Sequence, residues 1–183
     1  MVRTMSFRIR SPCSCLLAAR KNRSVASAAT PQLVEALAVA IVSDVTHSAL
    51  LVIPSDWNVN QTVTSLRELG IDARPLVPDS QPTEDFMNEE PGPKLLVSTI
   101  TTIRGIDLPD LTHVFILGTK LLGNFHDYVH IAGRVGRISS KGEGKVITMV
   151  MADDDAKAEA RLAKVYQTLG ITPAEWTVDL HDE

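Results

Sequence analysis

The sequence predicts an α/β fold in which a mostly parallel sheet is covered by helices on both faces. Three short apolar runs point there: SALLVI (48–53), KLLVST (94–99) and THVFIL (112–117) lack the polar alternation of a strand with one wet face. Segments of helical period separate most of the strand-like runs, so each strand can cross back before the next begins. With 183 residues, 44% of them apolar, the chain can bury one respectable core and hardly two. One domain with appendages is therefore expected.

The elements follow in order from residue 31. PQLVEALAVAIVS opens on Pro31, a favoured first helical position, and its apolar residues cover more than one face, as in a packed helix. After the strand 48–53, WNVNQTVTSLRELG sets Val59, Val63, Leu66 and Leu69 at helical spacing and closes on Gly70 as a C-cap. ARPLV reads as a strand, QPTEDFMNEEPGP as a polar connection with one helical turn, and KLLVST as the next strand. Then come the strand THVFIL, the helix NFHDYVHIAGRVG, the strand GKVITMV and the helix DDDAKAEARLAKVYQTLG, closed by Gly170. The core sheet, over residues 45–170, should hold five or six strands. Trp57 is expected to pack on a neighbouring helix, whereas Trp176, in the acidic tail ITPAEWTVDL, is a candidate for docking on a partner.

Residues 1–30 differ in composition. Arg3, Arg8, Arg10, Arg20, Lys21 and Arg23 occur there among serines with no acid, which suits an organelle import presequence, mitochondrial first and plastid as the alternative. The expected organisation is a presequence over 1–30, a domain over 31–170 and an acidic tail over 171–183. Without those six basic residues, 18 Lys and Arg become 12 against 22 acids, a formal charge of −10. Such a surface disfavours naked RNA, because nonspecific affinity comes from Lys and Arg meeting phosphates. Both cysteines, Cys13 and Cys15, fall in the same segment, so a processed chain has no thiol for disulfides, catalysis or metal. The five histidines show no metal-ligand spacing.

Ligands on such sheets bind beyond the carboxyl ends of the strands. Two segments lie there: STITTIRGIDLPD after the strand 94–99, and HIAGRVGR, His130 to Arg137, on the helix after THVFIL. In this order the chain resembles the second RecA-like lobe of DEAD-box and related superfamily 2 RNA helicases, from about Ser48 to Val150. The resemblance implies a RecA-like parallel sheet with helices on both faces, the fold of a helicase C-terminal domain. It also implies a nucleotide site in which Asp107 meets the ribose, Gly105 allows the tight turn, and Arg134 and Arg137 act as fingers on the γ-phosphate. A planar, permanently charged guanidinium suits that role. Gly133 and Gly136 would allow close approach, His130 would couple nucleotide to the other lobe, and Thr99 and Arg104 would reach an RNA phosphate.

Several positions depart from the family pattern. Ile131 stands for an arginine, Ile100 for an aspartate, Val77 and Pro78 for a His-Gly pair, and Glu84, after Gln81, for an arginine that helps hold RNA. Gly144 and Lys145 fail the Walker A pattern, since Ser139 and Val146 occupy its other defining positions. Asp153 to Asp155 read as acids at a helix N-terminus, where they favour the dipole.

The reading that results is a catalytically inactive helicase-like lobe, with no metal and no cofactor unless a separate lobe completes an ATP site. It would serve as a structural or assembly subunit of a mitochondrial ribonucleoprotein, the mitochondrial ribosome foremost, through protein partners, with RNA within reach and no membrane role. RNA binding by the lobe alone and the second half of a split helicase are the alternatives. For Arg134 and Arg137 two roles stay open, an anion or partner site and ion pairing within the fold, for example with Asp107 or Asp127. For Asp107 a turn-stabilising role stands beside the ribose contact.

Overall fold

The computed structural model describes residues 2–10, 31–45, 48–76, 94–104, 111–118, 125–135, 144–150 and 156–179. Among these the strands are β1 (Val2–Arg10), β2 (Ser48–Ile53), β3 (Asp72–Pro75), β4 (Lys94–Thr99), β5 (His113–Leu117), β6 (Gly144–Val150) and β7 (Ala174–Asp179). The helices are α1 (Pro31–Asp44), α2 (Val59–Glu68), α3 (Ile100–Ile103), α4 (Phe125–Ala132) and α5 (Ala156–Leu169). The strands form a seven-stranded sheet in the order β3-β4-β2-β5-β6-β1-β7, and every pairing is parallel.

The continuous apolar strands are explained by two cores, one on each face. In β2, Ala49, Leu51 and Ile53 join α1 and α2 on one side, while Leu50 and Val52 join α3, α4 and α5 on the other. The same alternation splits Phe115 and Leu117 from Val114 and Ile116 in β5, and Ile147 and Met149 from Val146 in β6. Both faces are dry, so neither register position tolerates a polar run. Trp57 packs at the edge of the α1/α2 core, as expected. Helix α1 is more apolar than its buried face needs: Val34, Leu37 and Ile41 are buried, yet Val39 and Val42 are 51% and 67% exposed.

Helix α2 has the ends its sequence encodes. Asn58 Oδ1 accepts the N–H of Gln61 at 3.1 Å, satisfying one of the donors a helix start leaves open. Gly70 and Gly170 follow α2 and α5 with φ of +80° and +64°. No atom lies within 4 Å of a Cβ built on either, so the left-handed backbone, not space, calls for glycine there.

The segments on either side of residues 31–170 add strands to the sheet. Five strands, β2 to β6, lie within residues 45–170 as expected, and the sheet has seven among the described residues because each appendage contributes one more. Val2–Arg10, expected to lie in a removable presequence, forms β1 and pairs with β6 from Val2 opposite Gly144 to Arg8 opposite Val150. The same strand pairs with β7 from Met5 opposite Ala174 to Arg10 opposite Asp179. Trp176 is accordingly a strand residue in register with Phe7, not part of a loose acidic tail. The chain that carries β1 has the formal charge of the whole sequence, −4. Helix α4 also ends at Ala132, short of the 124–136 span its sequence suggested, where the chain turns through Gly133 and Arg134.

Because β1 is the strand to which β7 is bonded, a chain beginning at Ala29 loses one strand and orphans another. We expect that truncation to lower Tm by on the order of 10 °C or more, or to abolish the cooperative transition, in thermal unfolding followed by circular dichroism. A truncated chain that unfolds like the full chain would show β1 to be dispensable.

Candidate functional site

The parallel order delivers the carboxyl ends of the strands to one edge, and the candidate residues gather there. Strand β4 ends at Thr99, whose hydroxyl bonds those of Thr101 at 2.8 Å and Thr102 at 3.2 Å. The turn α3 follows directly, burying Ile103 and leaving Arg104 at its end. Helix α4 descends beside it: Tyr128 and Ile131 enter the core at helical spacing, and His126, Val129 and His130 face solvent.

Two contacts lock these elements together. A guanidinium nitrogen of Arg104 pairs with Asp127 Oδ1 in the first turn of α4. The carboxylate side chain is 9% exposed and the arginine 57%, so the acid is fixed inside and its partner lies at the surface. Arg134, half-buried after α4, donates from Nη2 to the carbonyl of Ile103 at 3.0 Å. The backbone around it is tight, with Gly133 N–H donating to the Val129 carbonyl at 2.9 Å and Arg134 N–H to that of Ile131 at 3.1 Å. A Cβ on Gly133 would stand 3.1 Å from the Val129 carbonyl oxygen, so the close turn requires glycine. Val135 then bridges Leu111 in parallel.

Beneath α4 lies a buried polar cluster. Tyr128 and Tyr166 meet edge to face, with ring centroids 5.6 Å apart and planes at 84°, and the Tyr166 hydroxyl donates to Thr148 Oγ1 at 3.1 Å. Burial pushes the Tyr166 hydroxyl above its ordinary value of 10.0, and hydrogen bonds with Thr148 and Tyr128 only partly offset that rise. The cluster fixes α4 against α5 and β6.

Of the residues singled out in the sequence, Thr99, Arg104, His130, Gly133 and Arg134 thus lie at or near one edge, on β4, α3 and α4. Gly105, Asp107, Gly136 and Arg137 lie outside the described residues, as do Gln81 and Glu84. Arg134 donates to the Ile103 carbonyl within the fold, and Arg104 pairs with Asp127. His130 is exposed.

Residues 80–139 match the helicase conserved C-terminal domain. Over those residues the chain is similar to a helicase C-terminal lobe. It is 34% identical over 122 residues to the ATP-dependent RNA helicase DBP2 of Ajellomyces capsulatus, which covers 64% of this chain and 22% of that protein. It is 30% identical over 95 residues to the ATP-dependent RNA helicase cyt-19, mitochondrial, of Neurospora crassa, covering 52% of this chain and 13% of the relative. The lobe therefore spans less than a quarter of the length of these relatives. Among solved structures, the C-terminal domain of the DEAD-box protein Dbp5 superposes with a TM-score of 0.66 at 20% identity, covering 96% of this chain and 90% of that one. The E. coli DEAD-box protein SrmB, bound to the regulator RraA, superposes at 0.64 and 21% identity, covering 97% and 92%. These likenesses show the RecA-like fold.

ATP is the ligand such a lobe implies, and of the residues the resemblance assigns to it His130, Gly133 and Arg134 are described. Of the two arginine fingers, Arg134 is the described one, and its guanidinium is turned onto the Ile103 carbonyl.

Because an acid whose folded pKa is raised favours its neutral form in the folded state, the Tyr166 contribution to stability is complete below pH 10 and lost as pH rises beyond it. Tyr166→Phe should cost about 1 kcal/mol at neutral pH by removing the hydroxyl from Thr148. It should also reduce the alkaline loss of stability seen in urea unfolding of the native chain. Equal alkaline slopes in the two proteins would show that Tyr166 carries no such linkage.

Proposed function

We propose that this helicase C-terminal lobe does not complete an ATPase site, and that it acts as an assembly subunit of an organellar ribonucleoprotein, with the mitochondrial ribosome as the first host to test. The observation that carries this reading is Ile131. It takes the place where the resembled motif has an arginine, and it is 1% exposed in the core beneath α4. An apolar side chain there contributes to packing and offers no donor to a phosphate. Ile100, where the motif has an aspartate, is likewise half-buried against the same core.

Protein docking is a mode compatible with this fold. The SrmB structure holds the regulator RraA, and a Dbp5 C-terminal domain is bound to Gle1. The organellar host draws its support from the basic, acid-free first 30 residues and from the name of the mitochondrial relative.

Two measurements test the reading. When this lobe is fused behind the first lobe of a DBP2-type helicase, RNA-stimulated ATP hydrolysis should stay at the level of the first lobe alone. Hydrolysis that rises on fusion and falls again with Arg134→Ala would overturn the inactive reading. The tagged chain should co-sediment with mitochondrial ribosomal particles after salt washing; sedimentation only as free protein would remove the proposed host.

A further inference from the structure

We infer that Asp127 is a built-in competitor that masks Arg104 from the phosphates of single-stranded RNA, so that this edge of the lobe is held in a low-affinity state by its own carboxylate. The inference does not depend on the assembly role.

The geometry supplies the argument. Arg104 ends α3 beyond the carboxyl end of β4, beside the hydroxyl group cluster of Thr99, Thr101 and Thr102. Arg104 and Thr101 are both exposed, and exposed hydroxyls beside a guanidinium suit an extended polyanion. Yet the guanidinium is paired with Asp127. The asymmetry in burial decides how that pair behaves. The carboxylate side chain is 9% exposed and sits in a packed helix, whereas 57% of the arginine side chain is open to solvent. The acid cannot withdraw, and an arriving phosphate meets an ion pair of zero net charge in place of a cation.

Neutralisation by a buried partner also removes the thermodynamic gain on which phosphate contacts rest. Binding of a single-stranded nucleic acid releases the counterions condensed on its phosphates for each cation that replaces them, with a salt slope of about −0.7 per phosphate. A guanidinium already neutralised by Asp127 contributes little to that release. The other charged or titratable groups described on this edge do not replace it: Arg134 is directed to the Ile103 carbonyl, and His126 and His130 are exposed on α4. Replacing the carboxylate by the isosteric amide keeps the shape and an acceptor for Arg104 while restoring one full positive charge to the edge.

The test uses the full chain and a fluorescein-labelled ten-nucleotide oligouridylate, with binding read by anisotropy over a range of salt concentrations. Asp127→Asn should tighten binding on the order of fivefold to tenfold at about 50 mM salt and steepen the log–log salt slope by about 0.7. Both gains should vanish in the Arg104→Ala/Asp127→Asn double variant. Unchanged affinity and slope in a folded Asp127→Asn protein would overturn the proposal, and so would a gain that survives in the double variant, since that reports only the change in overall charge. If Asp127→Asn does not fold, Arg104→Ala alone decides. Masking predicts a salt slope unchanged from the native chain, and a slope shallower by about 0.7 would mean that Arg104 already meets phosphate in the native chain.

Discussion

All of the pairings in this sheet are parallel, and that single constraint organises the rest of the molecule. A parallel neighbour cannot be reached by a tight turn, so the chain must cross back over a face of the sheet before each new strand. The crossings cover both faces, which is why β2 is buried along its whole length and reads as an unbroken apolar run. The same constraint sends the carboxyl ends to one edge. Thr99 and Arg104, on one connection, and Asp127 and Arg134, on another, are far apart in sequence yet close in space for that reason alone.

The interior of the fold was legible because its strands are continuous and apolar, but its margin was not. VRTMSFRIR has a period-two component, with Met5, Phe7 and Ile9 at alternate positions. Three arginines interrupt it, and the basic composition of the following twenty residues outweighed the local pattern. Composition averages over a window, whereas a strand is selected by the ladder it joins. Here that ladder is supplied by β6 and β7, more than 130 residues away in sequence. No local signal could report it. The strand AEWTVD was missed for the same reason, since the edge that accepts it is β1 itself.

The edge residues were partly legible. Spacing of the Arg-Gly-x-Asp and Gly-Arg-x-Gly-Arg segments around THVFIL was enough to bring Arg104 and Arg134 together. It could not say which arginine meets which acceptor, because that depends on where α4 starts and how α3 turns. Asp127 lies one residue before the buried Tyr128, on the part of α4 that faces α3. Arg134 lies two residues past the helix end, where it donates to the Ile103 carbonyl. A shift of one residue along α4 rotates a side chain by about 100°, which is sufficient to exchange those partners.

Burial and charge at α4 therefore have to be considered as one problem. The helix is held by Tyr128 against Tyr166 and by Ile131 in the core, so its rotation about its own axis is set by apolar packing. That rotation also fixes Asp127, which is too buried to be solvated freely and needs a cation. Arg104 supplies a cation to it. With Ile131 in place of an arginine, α4 presents one positive group fewer at the edge and one apolar group more to the core. Ile131 adds to the packing of the core, and the arginine at the end of α3 is paired with a carboxylate that the packing itself has buried.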